Sequence, residues 1–179
     1  MGRIAEPLSR GAPDIRLHGD CEALLLIMSE SPEKSAVPPL TAAEFNDYII
    51  FHAHKLTPHD LRVLSDRLPK VRESFSQVKT SNFPHTPERL HFLADVVEAF
   101  IRGRVDEVPF ESVAEAGFAL IYLDQQVDLI PDDVPEIGYV DDATITALVL
   151  ERNAPAFRSI AQKLGKDWAA LKVAERGGF

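Results

Sequence analysis

The densest chemistry in this chain lies in one acidic segment, Asp128-Leu-Ile-Pro-Asp-Asp-Val-Pro-Glu-Ile-Gly-Tyr-Val-Asp-Asp142. Hard cations take oxygen ligands, and carboxylates at both ends of one loop can meet in space. Asp128, Asp132, Asp141 and Asp142 are therefore the candidate metal ligands, with Mg or Ca as the candidate cofactor. Paired carboxylates could also do acid–base work, one kept protonated beside an ionised neighbour. The spacing restrains both ideas. The Asp-x-Asp-x-Asp-Gly order of a calcium-binding loop is missing, and no nucleophile, phosphate loop or oxyanion signature accompanies the acids. Catalysis is the less favoured expectation, and no residue is assigned a catalytic role.

Other chemistry-bearing residues are scattered. The histidines are His18, His52, His54, His59, His85 and His91. His52 and His54 stand two apart, so on a helix their rings point about 200° apart and cannot share one ion unaided. Zinc sites show tighter ligand spacing, and surface positions are expected for all six. Cys21 lies beside the apolar run Leu24 to Met28 and reads as a small buried hydrophobe.

Architecture also explains the acidic segment. Ile130 and Val134 each precede a proline and are pushed toward extended backbone. Gly138 can take a positive φ. Asp141 or Asp142 stands where a helix N-cap belongs, accepting from free backbone donors and favoured by the helix dipole. The segment is thus expected to be a rigid connector between two helices, and this is preferred to a metal site.

In order and spacing, Asp128, Leu129, Ile130, Pro131, Asp132, Pro135, Gly138, Asp141 and Asp142 resemble the signature of the YkvA-like family, a domain of unknown function. Its pattern is an apolar helix, Asp-Leu-Ile-Pro-Asp, a second proline, a glycine, and Asp-Asp opening another apolar helix. The similarity covers roughly residues 89 to 152. It implies a helical fold and a shared loop but brings no reaction. Family members often approach the first Asp through a Ser-Pro-Ile type sequence, and some are membrane-associated. This chain has Asp124-Gln125-Gln126-Val127 there, which argues for a soluble version.

The elements that must hold this segment are helical. Thr41 and Glu44 form a capping-box pattern, and Phe45, Tyr48, Ile49 and His52 follow on one face, predicting a helix from about Ala42 to His54. Thr57-Pro58 starts a second helix with Leu61, Leu64 and Leu68 on one face. Pro69 should kink or divide it before Val71, Phe75 and Val78. Thr86-Pro87-Glu88 repeats the start signal, and the stripe Leu90, Leu93, Ala94, Val97, Ile101 runs to Gly103. Pro109 opens a helix whose run Ala116 to Leu123 is apolar on every side and so belongs at the centre, with Gly117 admitting a close neighbour. Ala143 to Leu150 and Asn153 to Leu164 give two more helices, the latter stopped by Gly165. Trp168 and Leu171 should fold back. No alternating strand pattern or repeat is present.

Composition sets the outer limits. The 179 residues, 45% hydrophobic, suffice for one sizeable core. Of 28 acidic residues, eleven lie between Asp106 and Asp142, where no Lys or Arg occurs, leaving 17 acids against 19 bases elsewhere. Such a stretch repels phosphate backbones and attracts basic surfaces, so nucleic acid is not an expected partner. Basic helices carrying Arg62, Arg67, Lys70, Arg72 and Lys79, and Arg158, Lys163, Lys166 and Lys172, could complement it within the fold or across a dimer. A single cysteine fits a reducing, cytoplasmic home. No apolar run approaches the roughly 20 residues of a membrane span, and the N-terminus lacks a signal-peptide layout.

The expected fold is all-α, a compact helical bundle with an apolar central helix and a smaller N-terminal helical region. Residues 1–40 should be poorly ordered around a short helix and a Pro-rich linker, 41–80 an N-terminal helical region, and 81–179 the YkvA-like domain. The favoured function is a noncatalytic interaction or scaffold module whose acidic loop meets a basic protein surface or a second copy of the chain. The alternative is a divalent-cation-binding regulator or cation-dependent enzyme.

Overall fold

The computed structural model describes residues 41–78, 84–125 and 139–173, so the expectations for residues 1–40 lie outside it. Six α-helices occur among the described residues: α1 Ala42–Ala53, α2 Pro58–Ser74, α3 Thr86–Ile101, α4 Phe110–Gln125, α5 Val140–Arg152 and α6 Ala154–Lys163. Short 3-10 turns follow α2 at Phe75–Gln77 and close the described chain at Trp168–Leu171. The described residues form an all-α bundle.

Local chemistry fixes most helix ends. In the capping box of α1, Glu44 N–H donates to Thr41 Oγ1 at 3.3 Å, and Thr41 N–H donates to Glu44 Oε2 at 2.7 Å. Thr57 opens α2 in the same way, with Asp60 closing the box and Pro58 in the first turn. Gly103 and Gly165 both have φ of +64° just past α3 and α6. There Arg104 N–H reaches Ala99 O and Lys166 N–H reaches Ala161 O, each at 2.8 Å, the bonding of a Schellman stop.

Two local expectations need correction. Pro69 does not divide α2, which continues through it to Ser74. Pro69 is exposed and Ser65, whose carbonyl loses its partner, is half-buried, so water can serve in place of the missing donor. Thr86 is not a cap: α3 starts one residue earlier than expected, and Thr86 is fully buried inside its first turn behind His85. Asn153 precedes α6 as expected but makes no capping bond. Its amide is used elsewhere.

The all-round apolar run becomes the core helix. α4 lies against α1, α2, α3 and α5, and every residue from Ser112 to Leu123 is buried. Gly117 makes this possible, because a Cβ there would overlap Leu61 Cδ2 of α2 and touch Leu64 and Leu56. Beyond α6 the chain returns onto α3. Trp168 meets Phe92 edge-on at 5.8 Å, Leu171 is buried, and the Arg89 guanidinium donates to the Leu171 and Lys172 carbonyls. No helix among the described residues is long and apolar enough to cross a membrane.

Candidate functional site

The acidic segment enters α5 at Asp141 and Asp142. Neither is the N-cap. Tyr139 holds that position without a side-chain cap bond, and the two carboxylates sit two and three residues further in, in the first turn, where the helix dipole still favours them. The reason lies in packing. α5 is pressed against α4, and both side chains are drawn into the interior, Asp141 at 0% and Asp142 at 3% exposure. Asp141 Oδ2 accepts from the Tyr122 hydroxyl at 2.6 Å, and its Oδ1 accepts from Asp142 N–H at 3.1 Å. Tyr48 of α1 closes over the pair, its ring 6.3 Å from that of Tyr122 at 88°. Burial, then the Asp141 charge, pushes the Tyr48 hydroxyl above the usual tyrosine range.

The other signature residues, Asp128, Leu129, Ile130, Pro131, Asp132, Pro135 and Gly138, lie outside the described residues. Two of the four candidate metal ligands are therefore described. Among the described residues, no three His, Cys, Asp or Glu side chains group to hold a metal ion.

A second polar centre lies on the same helices. Glu115, at 7% exposure, is gripped by the Arg152 guanidinium, with Nε to Oε2 at 3.2 Å and a terminal nitrogen to Oε1 at 3.1 Å. The Asn153 amide donates to the same carboxylate at 2.7 Å, and Arg152 also donates to Asn46 Oδ1 at 3.3 Å. Buried charge is tolerated when it is paired and hydrogen-bonded in this way. The network ties α1, α4 and α5 at one point. Sequence reading missed it, although a lone Glu at the mouth of an apolar helix signals a need for a base. The Tyr122 hydroxyl inside that run was a similar signal.

Some of the expected pairing between the acidic stretch Asp106 to Asp142 and the basic helices occurs within the fold, ahead of Asp128. Arg67 of α2 pairs with Asp124 of α4, and Lys163 of α6 pairs with Glu107 at 3.2 Å and Asp106 at 3.7 Å. Other basic residues pair outside the segment: Arg72 with Asp95 and Glu98, and Lys166 with Asp95.

Two histidines, His52 and His85, are half-buried where surface positions were expected. His52 is half-buried, stacked on Phe118 at 5.6 Å and 21°, and against Tyr48 at 4.3 Å. Burial, then Lys55, lowers it to about 4. His91 packs edge-on to Phe75 at 4.9 Å, and burial followed by Arg72 lowers it too. His91, for all that, is exposed, as are His54 and His59.

No curated protein and no solved structure matches the chain. One family, described as a protein of unknown function (DUF1232), matches residues 112–148. That stretch runs from the buried start of α4 through the whole acidic segment into α5. The chain is thus similar to this family over the two helices that meet at Tyr122 and Asp141.

Proposed function

We propose that the chain is a noncatalytic helical interaction or scaffold module, whose acidic segment engages the chain's own basic side chains first and a basic protein surface second. One observation carries this reading: in the base-free stretch from Asp106 to Asp142 that ends in the acidic segment, the carboxylates of Glu107, Glu115 and Asp124 are bound by Lys163, Arg152 and Arg67 from three different helices. Complementary charge of this sort fixes register between packed elements. The stretch from Asp106 to Asp142 holds eleven acids and no base, more negative charge than the whole protein's net of −9, and the excess suits a basic partner. The test is fluorescence anisotropy with a lysine-rich peptide at low and physiological salt. Binding should weaken at least about tenfold in Asp132→Asn/Asp133→Asn/Glu136→Gln, with unchanged melting, since each lost contact is electrostatic. Failure of the wild-type chain to bind at millimolar peptide would overturn the proposal.

A second reading, a divalent-cation-binding regulator, is favoured by Asp141 and Asp142 lying adjacent and buried in a stretch without Lys or Arg. Calorimetric titration with Mg2+, Ca2+ and Mn2+, repeated on Asp128→Asn/Asp141→Asn, decides it. No binding at millimolar cation removes it. We further infer that the matched stretch is a YkvA-like domain, because the match encloses the complete signature Asp128 to Asp142, and that the chain works in the cytoplasm, a home its single cysteine suits.

A further inference from the structure

Helix α1 lies over the Tyr122–Asp141 pair, and three contacts fasten it there. Tyr48 stands edge-on to Tyr122 and senses the Asp141 charge. One turn along, His52 stacks on Phe118, which is itself one turn before Tyr122 on α4. At the other end Asn46 accepts from Arg152 of α5. The remaining interface is the apolar stripe Phe45, Ile49 and Ala53.

α1 is bounded as a unit of its own, and at 12 residues it holds its backbone hydrogen bonds only while seated. Its first turn is closed by its own capping box at Thr41, and the next helix is closed independently at Thr57. Neither end borrows a cap from α4 or α5. Local openings of such units lie below global unfolding in free energy.

The fastening is unequal in its response to acid. Tyr48 carries no charge at any pH below neutral. The Arg152–Asn46 bond uses a permanently charged donor and a neutral acceptor. His52 alone among the three can gain a charge between pH 7 and 4. In its seat the imidazole is flanked by Tyr48, Phe51 and Lys55 on α1 and by Phe118 on α4; Tyr122 of α4 and Asp141 of α5 act on the neighbouring Tyr48, and Arg152 of α5 bonds Asn46. The one charge that acts on it directly, Lys55, has the same sign as an imidazolium.

We propose that α1 is an acid-releasable cover over the Tyr122–Asp141 pair, with His52 as the group that loosens it. In its seat burial, with Lys55 second, holds His52 neutral down to about 4; release removes the burial, the larger cause, and returns the ring toward the ordinary histidine value. Protons therefore favour the released segment throughout the interval between. Release exposes the two tyrosines and the Asp141 carboxylate together, and leaves the packing among α3, α4 and α5 in place.

Residue-resolved native-state hydrogen exchange on the full chain, corrected for intrinsic rates, tests this. Linkage allows at most about thirtyfold more opening at pH 5 than at pH 7.5, and the half-exposed ring reduces the expectation to about tenfold. That increase should appear at Ile49 to Ala53 while α3 and α4 amides hold. His52→Phe, which keeps the ring stack, should abolish it. An unchanged α1, the same increase in His52→Phe, or an equal increase in α4 overturns the proposal. Should His52→Phe fail to fold, the imidazole carbon shifts of the wild-type chain decide: titration at the ordinary histidine value overturns it, and titration near 4 supports it.

Discussion

Adding one methyl group at Gly117 would drive a Cβ into Leu61 Cδ2, and Leu61 is itself fully buried with nowhere to retreat. Alanine gains up to about 1 kcal/mol in helix propensity, but overpacking costs about 1–3 kcal/mol. Gly117→Ala should therefore lower stability in urea titration, and Leu61→Ala in the same chain should cost less than it does alone. At Tyr122 the expected loss is of another kind. Tyr122→Phe leaves the apolar packing in place and removes the hydroxyl that donates to buried Asp141. A lost bond to a charged buried acceptor costs about 1.5–3 kcal/mol, read as a fall in the denaturation midpoint at pH 7.5. Gly117 was legible in sequence because an apolar helix with one glycine needs a reason for it. The inward turn of Asp141 was not, since a first-turn acid and a capping acid differ by a residue or two in position and the choice depends on the packing of α5 against α4.

Among the elements, ends were more legible than interiors. Capping boxes, Pro at a first turn and Gly at a stop are local chemistry, so α1, α2 and the ends of α3 and α6 could be placed to within a residue or two. Asn46, Glu115 and Arg152 lie 69 and 37 positions apart, and no local pattern links them. Asn153 shows the two levels in competition: it precedes α6 as a cap should, yet its amide goes to Glu115. α2 also carries a cost that its sequence announced and its structure absorbed. Pro69 sits inside the helix on its exposed side. Pro69→Ala restores a donor for the Ser65 carbonyl and removes a residue disfavoured by up to about 3 kcal/mol in helix interiors. It should raise the melting temperature, and the measurement is a thermal scan of the two chains side by side.

For the molecule as a whole, pH is the informative variable. His52 and His91 are both shifted down on folding, so below the ordinary histidine value the unfolded chain binds protons that the folded chain refuses. Stability is fully present above about 6.5 and declines as pH falls toward the folded value, about 4 for His52. The nominal contribution of His52 is about 3 kcal/mol. Its half-exposed ring discounts this to about 1 kcal/mol. Denaturant titrations at pH 7.5 and 5.0 should show this decline, and His52→Phe should remove most of it. Ionic strength is the second variable, since the stretch from Asp106 to Asp142 has no base of its own and is paired from elsewhere in the chain. Raised salt should weaken the exposed Lys163 pairings with Asp106 and Glu107 more than the sheltered Arg152–Glu115 pair.

The return of the chain onto α3 has an optical consequence. Trp168, the sole tryptophan, rests on Phe92 at one face of the bundle, whereas two of the three tyrosines, Tyr48 and Tyr122, meet over α4, and the third, Tyr139, stands at the entry to α5. Indole emission therefore reports on the C-terminal turn, and phenol absorbance on the region around Asp141. One unlabelled sample carries a separate signal for each of these two regions.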